Sequence, residues 1–338
     1  MFCSMESVTV GVGNVESGLQ FFRDRLGLRV VNDTRASVGL VAAWRRPVHE
    51  SVRLVDLASA ASIVSPSTGG KKKKVVPASS KSLPPGRVRL AVYEDVRLSL
   101  ASRDALGDKT IPSTSGPWGL EFTSGTDGPV GSSIVQGPDG LLVLAPASFG
   151  EQGTPLSHTT GNPPATGNMS SSATRSAPSS TSATGKHAAL AAARSASLSA
   201  LWISTSHFAA STRFYTEALG LQSVNDPTLA ARLAHTKVSE CMAFSSKEFP
   251  QFKLVLASFD TPTIEQQIAT SMAVGQLGFN LISMRCDDLD ELQKRIEALG
   301  IEPVTEPAHV GMPFGYPGRV MIVAGPNGEL FEFDEITV

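Results

Sequence analysis

A segment near the start of this 338-residue chain is repeated in its second half, and this duplication constrains the fold more than any other feature. Residues 7–33 and 200–226 align without a gap at a constant offset of 193 positions. The identical pairs are Phe21 and Phe214, Leu26 and Leu219, Gly27 and Gly220, Leu28 and Leu221, Val31 and Val224, Asn32 and Asn225, and Asp33 and Asp226. Similarity at a fixed spacing indicates a duplicated structural unit.

Each copy has the pattern of a strand, a helix and a second strand. In the first copy, apolar residues alternate up to Val12 as in a half-buried strand, Asn14 is a good helix N-cap, and Gly27 favours the left-handed conformation that ends a helix. In the second copy the cap falls at Ser206 or His207. The apolar helix face in the first copy consists of Val15, Leu19, Phe22 and Leu26.

Further strands are predicted in both halves from alternating apolar residues and β-branched content. In the first half they are Gly39–Trp44, Ser51–Leu57, Arg87–Tyr93, Trp118–Thr123, Ser132–Gln136 and Leu141–Ala145. In the second half they are Phe252–Phe259, Phe279–Cys286, Arg319–Ala324 and Glu329–Asp334. A Gly-Pro-Asp-Gly or Gly-Pro-Asn-Gly turn precedes the last strand of each half, so the duplication extends through both halves.

One helix is predicted only in the second half, between the N-cap Asp288 and the helix-ending Gly300. Its apolar face consists of Leu289, Leu292, Ile296 and Leu299. The corresponding stretch of the first half, between Phe122 and Gly137, is too short for this helix and the strand after it. We therefore expect the first half to be degenerate and a working site to lie in the second half.

These patterns divide the chain into three regions. Residues 1–149 form a shortened first module with a flexible insert at 58–86, and residues 198–338 form a complete second module. Residues 150–197 are rich in Ser, Thr, Ala, Gly and Pro, with too little apolar surface to offset the entropy of ordering, which predicts a disordered linker. Lys71–Lys74 in the insert favours a solvated loop, with a nuclear import or anion-binding patch as the alternatives.

Composition narrows the classes of partner. The net charge of −2 predicts no general affinity for nucleic acid or acidic membranes. The three cysteines, Cys3, Cys241 and Cys286, are far apart in sequence, which predicts neither a disulfide framework nor a zinc site and favours a reducing compartment. No secretion signal and no apolar run of roughly 18 residues is apparent, so a cytoplasmic protein without membrane contact is expected.

Three motifs in the second half together resemble the vicinal oxygen chelate superfamily. They are F-Y-x-x-x-L-G-L from Phe214, C-D-D-L-D-E-L from Cys286 and G-P-N-G-E-L-F-E-F from Gly325. This superfamily includes glyoxalase I, extradiol dioxygenases, methylmalonyl-CoA epimerase and the fosfomycin and bleomycin resistance proteins. The resemblance covers residues 198–338 well and 7–148 in a weaker form. It implies an α+β fold in which paired β-α-β-β-β units form curved mixed-sheet clefts, here in two tandem modules.

The resemblance also implies where a divalent metal would bind. Enzymes of the superfamily use a His on the first strand, a His or Glu on the first strand of the second unit and a Glu on the last strand. These positions hold Ala200, Leu281 and Glu332, and in the first module two of them hold Ser7 and Leu144. Because a catalytic metal needs about three protein ligands, no metal cofactor is expected, and a divalent metal is the alternative.

The resemblance and strand alternation place a set of polar and aromatic residues on one cleft. The predicted ligand-binding residues are Trp202, Ser204, Ser283, Arg285, His309, Phe314 and Tyr316, and Glu332 is the candidate catalytic residue. Phe314 and Tyr316 belong to Gly311–Gly318, which is either a lid or a plug for the open end of the sheet. Arg285 and Glu332 are alternatively a structural ion pair across the sheet.

Three functions follow from these residues. The first is a binding module that takes a small-molecule metabolite in the cleft of the second module without metal. The second is a metal-independent isomerase, lyase or cyclase in which Glu332 is the general acid or base. The third is a metal-dependent relative of glyoxalase or dioxygenase. In each case the partner is a small molecule, and the chain is expected to be a monomer or homodimer.

Overall fold

The structure is a computed structural model of the chain. It describes residues 3–60, 86–93, 119–124, 132–137, 141–146, 196–205, 207–226, 229, 238–247, 249–259, 278–311 and 318–336. The Lys71–Lys74 run, most of the predicted linker and the aromatic residues Phe314 and Tyr316 lie outside these ranges, so the domain boundaries stay a prediction. No helix in the described ranges is long and apolar enough to span a membrane.

The described residues contain fifteen strands and four helices. The strands are β1 (Cys3–Val12), β2 (Arg29–Arg35), β3 (Val52–Ala58), β4 (Arg87–Tyr93), β5 (Gly119–Ser124), β6 (Ser132–Gln136), β7 (Leu142–Pro146), β8 (Ala196–Ser204), β9 (Gln222–Val224), β10 (Val238–Ser245), β11 (Lys253–Phe259), β12 (Gly278–Cys286), β13 (Pro303–His309), β14 (Gly318–Ala324) and β15 (Leu330–Ile336). The helices are α1 (Val15–Leu19), α2 (Val38–Ala43), α3 (Phe208–Arg213) and α4 (Leu289–Ala298). Helices α1 and α3 continue as π-helical turns over Gln20–Arg25 and Phe214–Ala218.

The strands form two sheets, and each sheet takes strands from both halves of the chain. The eight-stranded sheet has the order β13-β14-β15-β12-β1-β4-β3-β2, and the seven-stranded sheet has the order β6-β7-β5-β8-β11-β10-β9. The halves meet where β1 pairs antiparallel with β12 and where β5 pairs antiparallel with β8. The predicted α+β class with paired β-α-β-β-β units is confirmed, but the two units of residues 198–338 lie in different sheets.

The predicted caps of α1 and α4 are confirmed, whereas His207 at the N-cap of α3 makes no side-chain capping hydrogen bond. The Asn14 side chain accepts a hydrogen bond from the Glu16 backbone nitrogen, and Asp288 caps α4 in the same way. Gly27 and Gly220 end the helical segments with φ values of 72° and 68°, in the left-handed region that favours glycine. The helices bury Phe22, Phe214 and their neighbours in one hydrophobic core that contacts both sheets.

The predicted strand Gly39–Trp44 is wrong, because this segment forms helix α2. The Ser37 hydroxyl caps α2 by accepting from the Leu40 backbone nitrogen, and it also donates to the Val310 carbonyl oxygen at 2.6 Å. Gly39 is needed at this contact, because a Cβ atom there would lie 2.8 Å from the Val310 Cα. Helix α2 thus lies against the face of the eight-stranded sheet opposite the main core.

Candidate functional site

The face of the eight-stranded sheet that points away from the main core carries most of the buried charge of the described residues. Along β15, Phe331 and Phe333 enter the core, whereas Glu332 and Asp334 point to the opposite side because strand residues alternate. We call this side the Glu332 face. Its buried polar residues are Ser7, Thr9, Asp56, Arg87, Arg89, Ser283, Glu332 and Asp334.

Glu332 is completely buried and accepts three hydrogen bonds. Its Oε2 accepts from Trp44 Nε1 at 2.5 Å, and its Oε1 accepts from Ser283 Oγ at 3.0 Å and from Arg89 Nη1 at 3.2 Å. Trp44 follows helix α2, whereas the other two donors lie on neighbouring strands of the sheet. The carboxylate is therefore held in place by the sheet and by the helix that covers it.

Arg89 connects Glu332 to a second buried carboxylate, Asp56. Arg89 Nε donates to Asp56 Oδ1 at 3.0 Å, and Arg87 approaches the same carboxylate at 3.7 Å. Burial alone would raise the pKa of Asp56, but the positive charges of Arg89 and Arg87 outweigh burial and hold this pKa below its ordinary value. Asn32 also donates to Asp56, at 3.0 Å. The result is a continuous array of alternating charges shielded from water.

Asp334 differs from the other buried carboxylates because neither of its oxygens has a hydrogen-bond partner within the described ranges. Burial, reinforced by the negative charge of Glu332, raises its pKa well above the ordinary value. The hydroxyls of Ser7 and Thr9 on the same face also lack partners there. Arg285 lies beside Asp334 in the pairing of β12 with β15 but makes no ion pair with it in the described structure. This part of the face can still accept and donate hydrogen bonds.

The Glu332 face does not fit the metal site that the resemblance implies. All the candidate ligand atoms of Glu332 already accept hydrogen bonds, one of them from the Arg89 guanidinium, which would repel a cation. Leu281 and Ser7 supply no imidazole or carboxylate. Within the described ranges, no group of three or more His, Cys, Asp and Glu residues could hold a metal ion.

The corresponding face of the seven-stranded sheet, here called the Glu121 face, is mostly apolar. The Trp202 indole donates to Glu121 Oε2 at 2.8 Å, and both residues are buried. The apolar residues around them are Ala200, Leu229, Ala243 and Val255. Lys253 pairs with Asp226 at 2.5 Å near the surface. Among the described residues, this face therefore places the buried Glu121 carboxylate, hydrogen-bonded by a tryptophan, in mostly apolar surroundings.

The structure does not bring the predicted site residues together. Ser283, Arg285 and Glu332 lie in the eight-stranded sheet, but Trp202 and Ser204 lie in the seven-stranded sheet, because the chain places its two C-terminal units in different sheets. His309 is exposed on the edge strand β13. The residues Phe314 and Tyr316 lie outside the described ranges. The alternative interpretation of Arg285 and Glu332 as an ion pair is wrong, since Arg89 is the arginine that pairs with Glu332.

The main residues that the sequence analysis missed lie in the first half. Arg87 and Arg89 alternate with Val88 and Leu90 along β4, a pattern that predicts a charged face on a strand. The prediction that a working site lies in the second half excluded them. The contribution of Trp44 was hidden because its segment was predicted to be a strand.

A family model matches the second half of the chain, and solved structures match either about two fifths or nearly all of it. The family model of the Glyoxalase/Bleomycin resistance protein/Dioxygenase superfamily matches residues 196–333. Among solved structures, glyoxalase I from Zea mays is 11% identical, with a TM-score of 0.49 and coverage of 98% of this chain and 92% of that chain. The protein UcmS2 is 21% identical, with a TM-score of 0.30 and coverage of 41% and 96%. A virulence protein from Salmonella typhimurium is 16% identical, with a TM-score of 0.29 and coverage of 41% and 96%. No curated protein matches the chain.

Proposed function

We propose that the chain, whose residues 196–333 match the family model of the Glyoxalase/Bleomycin resistance protein/Dioxygenase superfamily, binds a small-molecule metabolite at the Glu332 face without a catalytic metal. The observation that carries this proposal is the buried Asp334 carboxyl, which has no hydrogen-bond partner in the described ranges. A buried polar group left unsatisfied costs roughly 1–3 kcal/mol, and a ligand that satisfies it recovers that free energy. Groups whose pKa is strongly perturbed, as that of Asp334 is by burial, concentrate at functional sites.

The charges favour a ligand that carries an amino or amidino group. The buried ionisable groups of this face are two arginines, Arg87 and Arg89, and three carboxyls, those of Asp56, Glu332 and Asp334. A cationic donor at Asp334 would balance the third carboxyl and would lower the pKa of Asp334, since an opposite charge favours the ionised form. The partly exposed residues Glu6 and Arg285 lie where this face reaches solvent.

A thermal-shift titration tests this proposal. Butylamine, agmatine and benzamidine are compared with the neutral analogues butanol and benzamide. We expect at least one cationic compound to raise the melting temperature in a saturable way, and Asp334→Asn to abolish that rise. Asp290→Asn is the matched control, because Asp290 forms an exposed pair with Arg319 and should leave the rise intact. Equal responses to charged and neutral compounds, or a rise that persists in Asp334→Asn, would contradict the proposal.

Elemental analysis of the purified protein tests the metal-free part of the proposal. We expect substoichiometric Zn, Fe, Mn and Ni after dialysis, because Arg89 already neutralises Glu332. One retained equivalent of any of these metals would overturn this part and would favour a metal-dependent glyoxalase or dioxygenase relative.

A second candidate function is a metal-independent isomerase or lyase. Glu332 was the expected acid or base, but its oxygens already accept from Trp44, Ser283 and Arg89. The raised pKa of Asp334 favours this residue as a general acid, because its carboxyl retains a proton at a higher pH than an exposed Asp does. Mass spectrometry of each stabilising compound after incubation tests this alternative. Product formation that Asp334→Asn abolishes would support it, and unchanged compounds would leave binding as the function.

A further inference from the structure

Two cysteines that are far apart in the sequence lie opposite each other where the halves of the chain meet. Cys3 on β1 and Cys286 on β12 are direct partners in the antiparallel pairing of these strands. Their Sγ atoms are 3.4 Å apart, and both residues are buried beneath the main core. The sequence analysis predicted no disulfide framework because the three cysteines are far apart in the sequence, but Cys3 and Cys286 are close in the structure despite a separation of 283 positions.

The backbone geometry at this pair suits a disulfide bond. Opposite residues of an antiparallel pair have Cα atoms about 4.5–5.5 Å apart, within the range of roughly 4.4–6.8 Å found across disulfides. Closing the two Sγ atoms from 3.4 Å to a bond of about 2.05 Å is a movement that side-chain rotation can supply. The two strands need not change register.

The two thiols also differ in a way that suits exchange chemistry. The contact between the two thiols and the backbone near Asp288 lower the pKa of Cys286, whereas the same contact and burial raise the pKa of Cys3. Thiolates are the attacking species in thiol–disulfide exchange. The third cysteine, Cys241, lies on β10 in the seven-stranded sheet, so it is not opposite either member of the pair.

We propose that Cys3 and Cys286 form a reversible disulfide that links the two halves of the chain in response to low-molecular-weight disulfides such as oxidised glutathione. The Cys286 thiolate attacks one sulfur of the small disulfide and releases one small thiol. The Cys3 thiolate then attacks the resulting mixed disulfide and releases the second. Two protein thiols lose two hydrogens and one small disulfide becomes two thiols, so atoms and electrons balance.

Access to the buried pair comes from the end of β1. Cys3 is the first residue of that strand, and strand ends open locally far more often than the sheet as a whole unfolds. Once formed, the bond holds β1 against β12, and these strands carry Ser7, Thr9 and Ser283 of the Glu332 face. Oxidation therefore fixes the relative position of polar groups contributed by the two halves. This inference does not depend on the proposed ligand.

The test equilibrates the full-length protein in graded mixtures of reduced and oxidised glutathione, followed by acid quenching, alkylation and a non-reducing proteolytic digest. We expect a peptide containing Cys3 to be linked to one containing Cys286, with a loss of about 2 Da from the intact mass. The oxidised protein should melt roughly 5 °C or more higher than the reduced protein, and dithiothreitol should reverse the change.

Matched variants isolate the pair. Cys241→Ser should form the linked peptide as the native protein does, whereas Cys3→Ser and Cys286→Ser should lose both the peptide and the melting shift. If a variant does not fold, the peptide map of the native protein alone still shows whether Cys3 and Cys286 are linked. Full alkylation of Cys3 and Cys286 after treatment with excess oxidised glutathione would overturn the proposal, as would linkage of either residue to Cys241 instead.

Discussion

The Glu332 face and the Glu121 face occupy equivalent positions in the two sheets, yet they hold their buried carboxylates differently. In each, a tryptophan indole donates to the glutamate. Trp44 reaches Glu332 from helix α2, whereas Trp202 lies on a strand next to that of Glu121. The same type of hydrogen bond, from a tryptophan indole to a buried glutamate, is therefore made from different positions in the fold.

The offset of 193 positions and the strand register give the reason. Thr9 pairs with Arg89 in one sheet, and its equivalent Trp202 pairs with Val255 in the other. In the seven-stranded sheet, the large side chain of Trp202 therefore stands where the eight-stranded sheet has the small Thr9, and Val255 stands where it has Arg89. The repeat preserves the aromatic and leucine side chains of the core face and varies the opposite face, so the core specifies the fold and the opposite face is free to change in charge.

The buried glutamate also lies on a different strand in the two sheets. Ser283 pairs with Glu332 in the eight-stranded sheet, and Glu121 pairs with Leu144 in the seven-stranded sheet. Each pair contains one glutamate, but Glu332 lies on the last strand of its pair, β15, whereas Glu121 lies on the first, β5. A carboxylate at this place in the sheet is therefore compatible with either strand, provided that a neighbouring donor neutralises or hydrogen-bonds it.

Removing the arginine should have the largest effect. Arg89→Met leaves Asp56 and Glu332 as buried carboxylates without their shared cation, and we expect the free energy of unfolding to fall by roughly 3–5 kcal/mol. Urea denaturation at pH 7 measures the change. Arg53→Met is the matched control, because its pair with Asp33 is exposed and should contribute at most about 1 kcal/mol. A similar small loss in both variants would mean that the buried array is not a stabilising feature of the Glu332 face.

The two tryptophans provide a direct comparison between the faces. Trp44→Phe and Trp202→Phe each remove one indole donor to a buried glutamate, and we expect each to lose roughly 1.5–3 kcal/mol, the range for hydrogen bonds to charged groups. The same denaturation experiment measures both. A loss confined to one variant would show that the two hydrogen bonds, despite their likeness, do not have the same role.

Asp334 and Asp56 should respond to pH in opposite directions. The folded pKa of Asp334 lies well above its ordinary value of 3.8, so wild-type stability falls as the pH rises from that value through the folded pKa. Asp334→Asn should therefore be more stable than wild type at pH 8 and should lose this advantage toward pH 4.

Asp56→Asn serves as the comparison of opposite sign. Its folded pKa is depressed, so its ionised form stabilises the protein above the ordinary pKa of 3.8 and the variant should be less stable throughout pH 5–8. Denaturation curves at several pH values measure both. If Asp334→Asn were destabilised at pH 8 to the same extent as Asp56→Asn, the buried Asp334 carboxyl would belong to the structural charge array.

The smallest effect is expected for the pair that the sequence suggested. A double-mutant cycle of Arg285→Met and Glu332→Gln should give a coupling energy below about 0.5 kcal/mol, because the ion pair of Glu332 is with Arg89. The cycle of Arg89→Met and Glu332→Gln should give a much larger value. Strong coupling of Arg285 to Glu332 would restore the original interpretation of this face.

The sequence predicted the local structure well and the long-range arrangement poorly. Caps and stops such as Asn14, Asp288 and Gly220 act within one helical turn, so they can be recognised without knowing the fold. The pairing of β1 with β12 depends on segments almost the whole chain apart, and no local pattern specifies it. Helix α2 was missed because six apolar residues are too short to separate a helical period from a strand period.

The candidate site was predictable only in part, for the same reason. Glu332 and Ser283 were identified because they lie on polar positions of neighbouring strands in one unit. Arg89 belongs to a unit from the other half of the chain, so its approach to Glu332 follows from the sheet order and not from either unit alone.

The central position of β1 in the eight-stranded sheet has a consequence for synthesis in the cell. One neighbour of β1 is β4, but the other is β12, whose paired residues follow up to 283 positions later. At a translation rate of roughly 5–20 residues per second, the ribosome needs about 15–60 s to supply that partner. During this time a long hydrophobic strand presents an unpaired edge to other chains. Nascent protein is thus expected to depend on chaperone protection of its first strand until nearly all of it has been made.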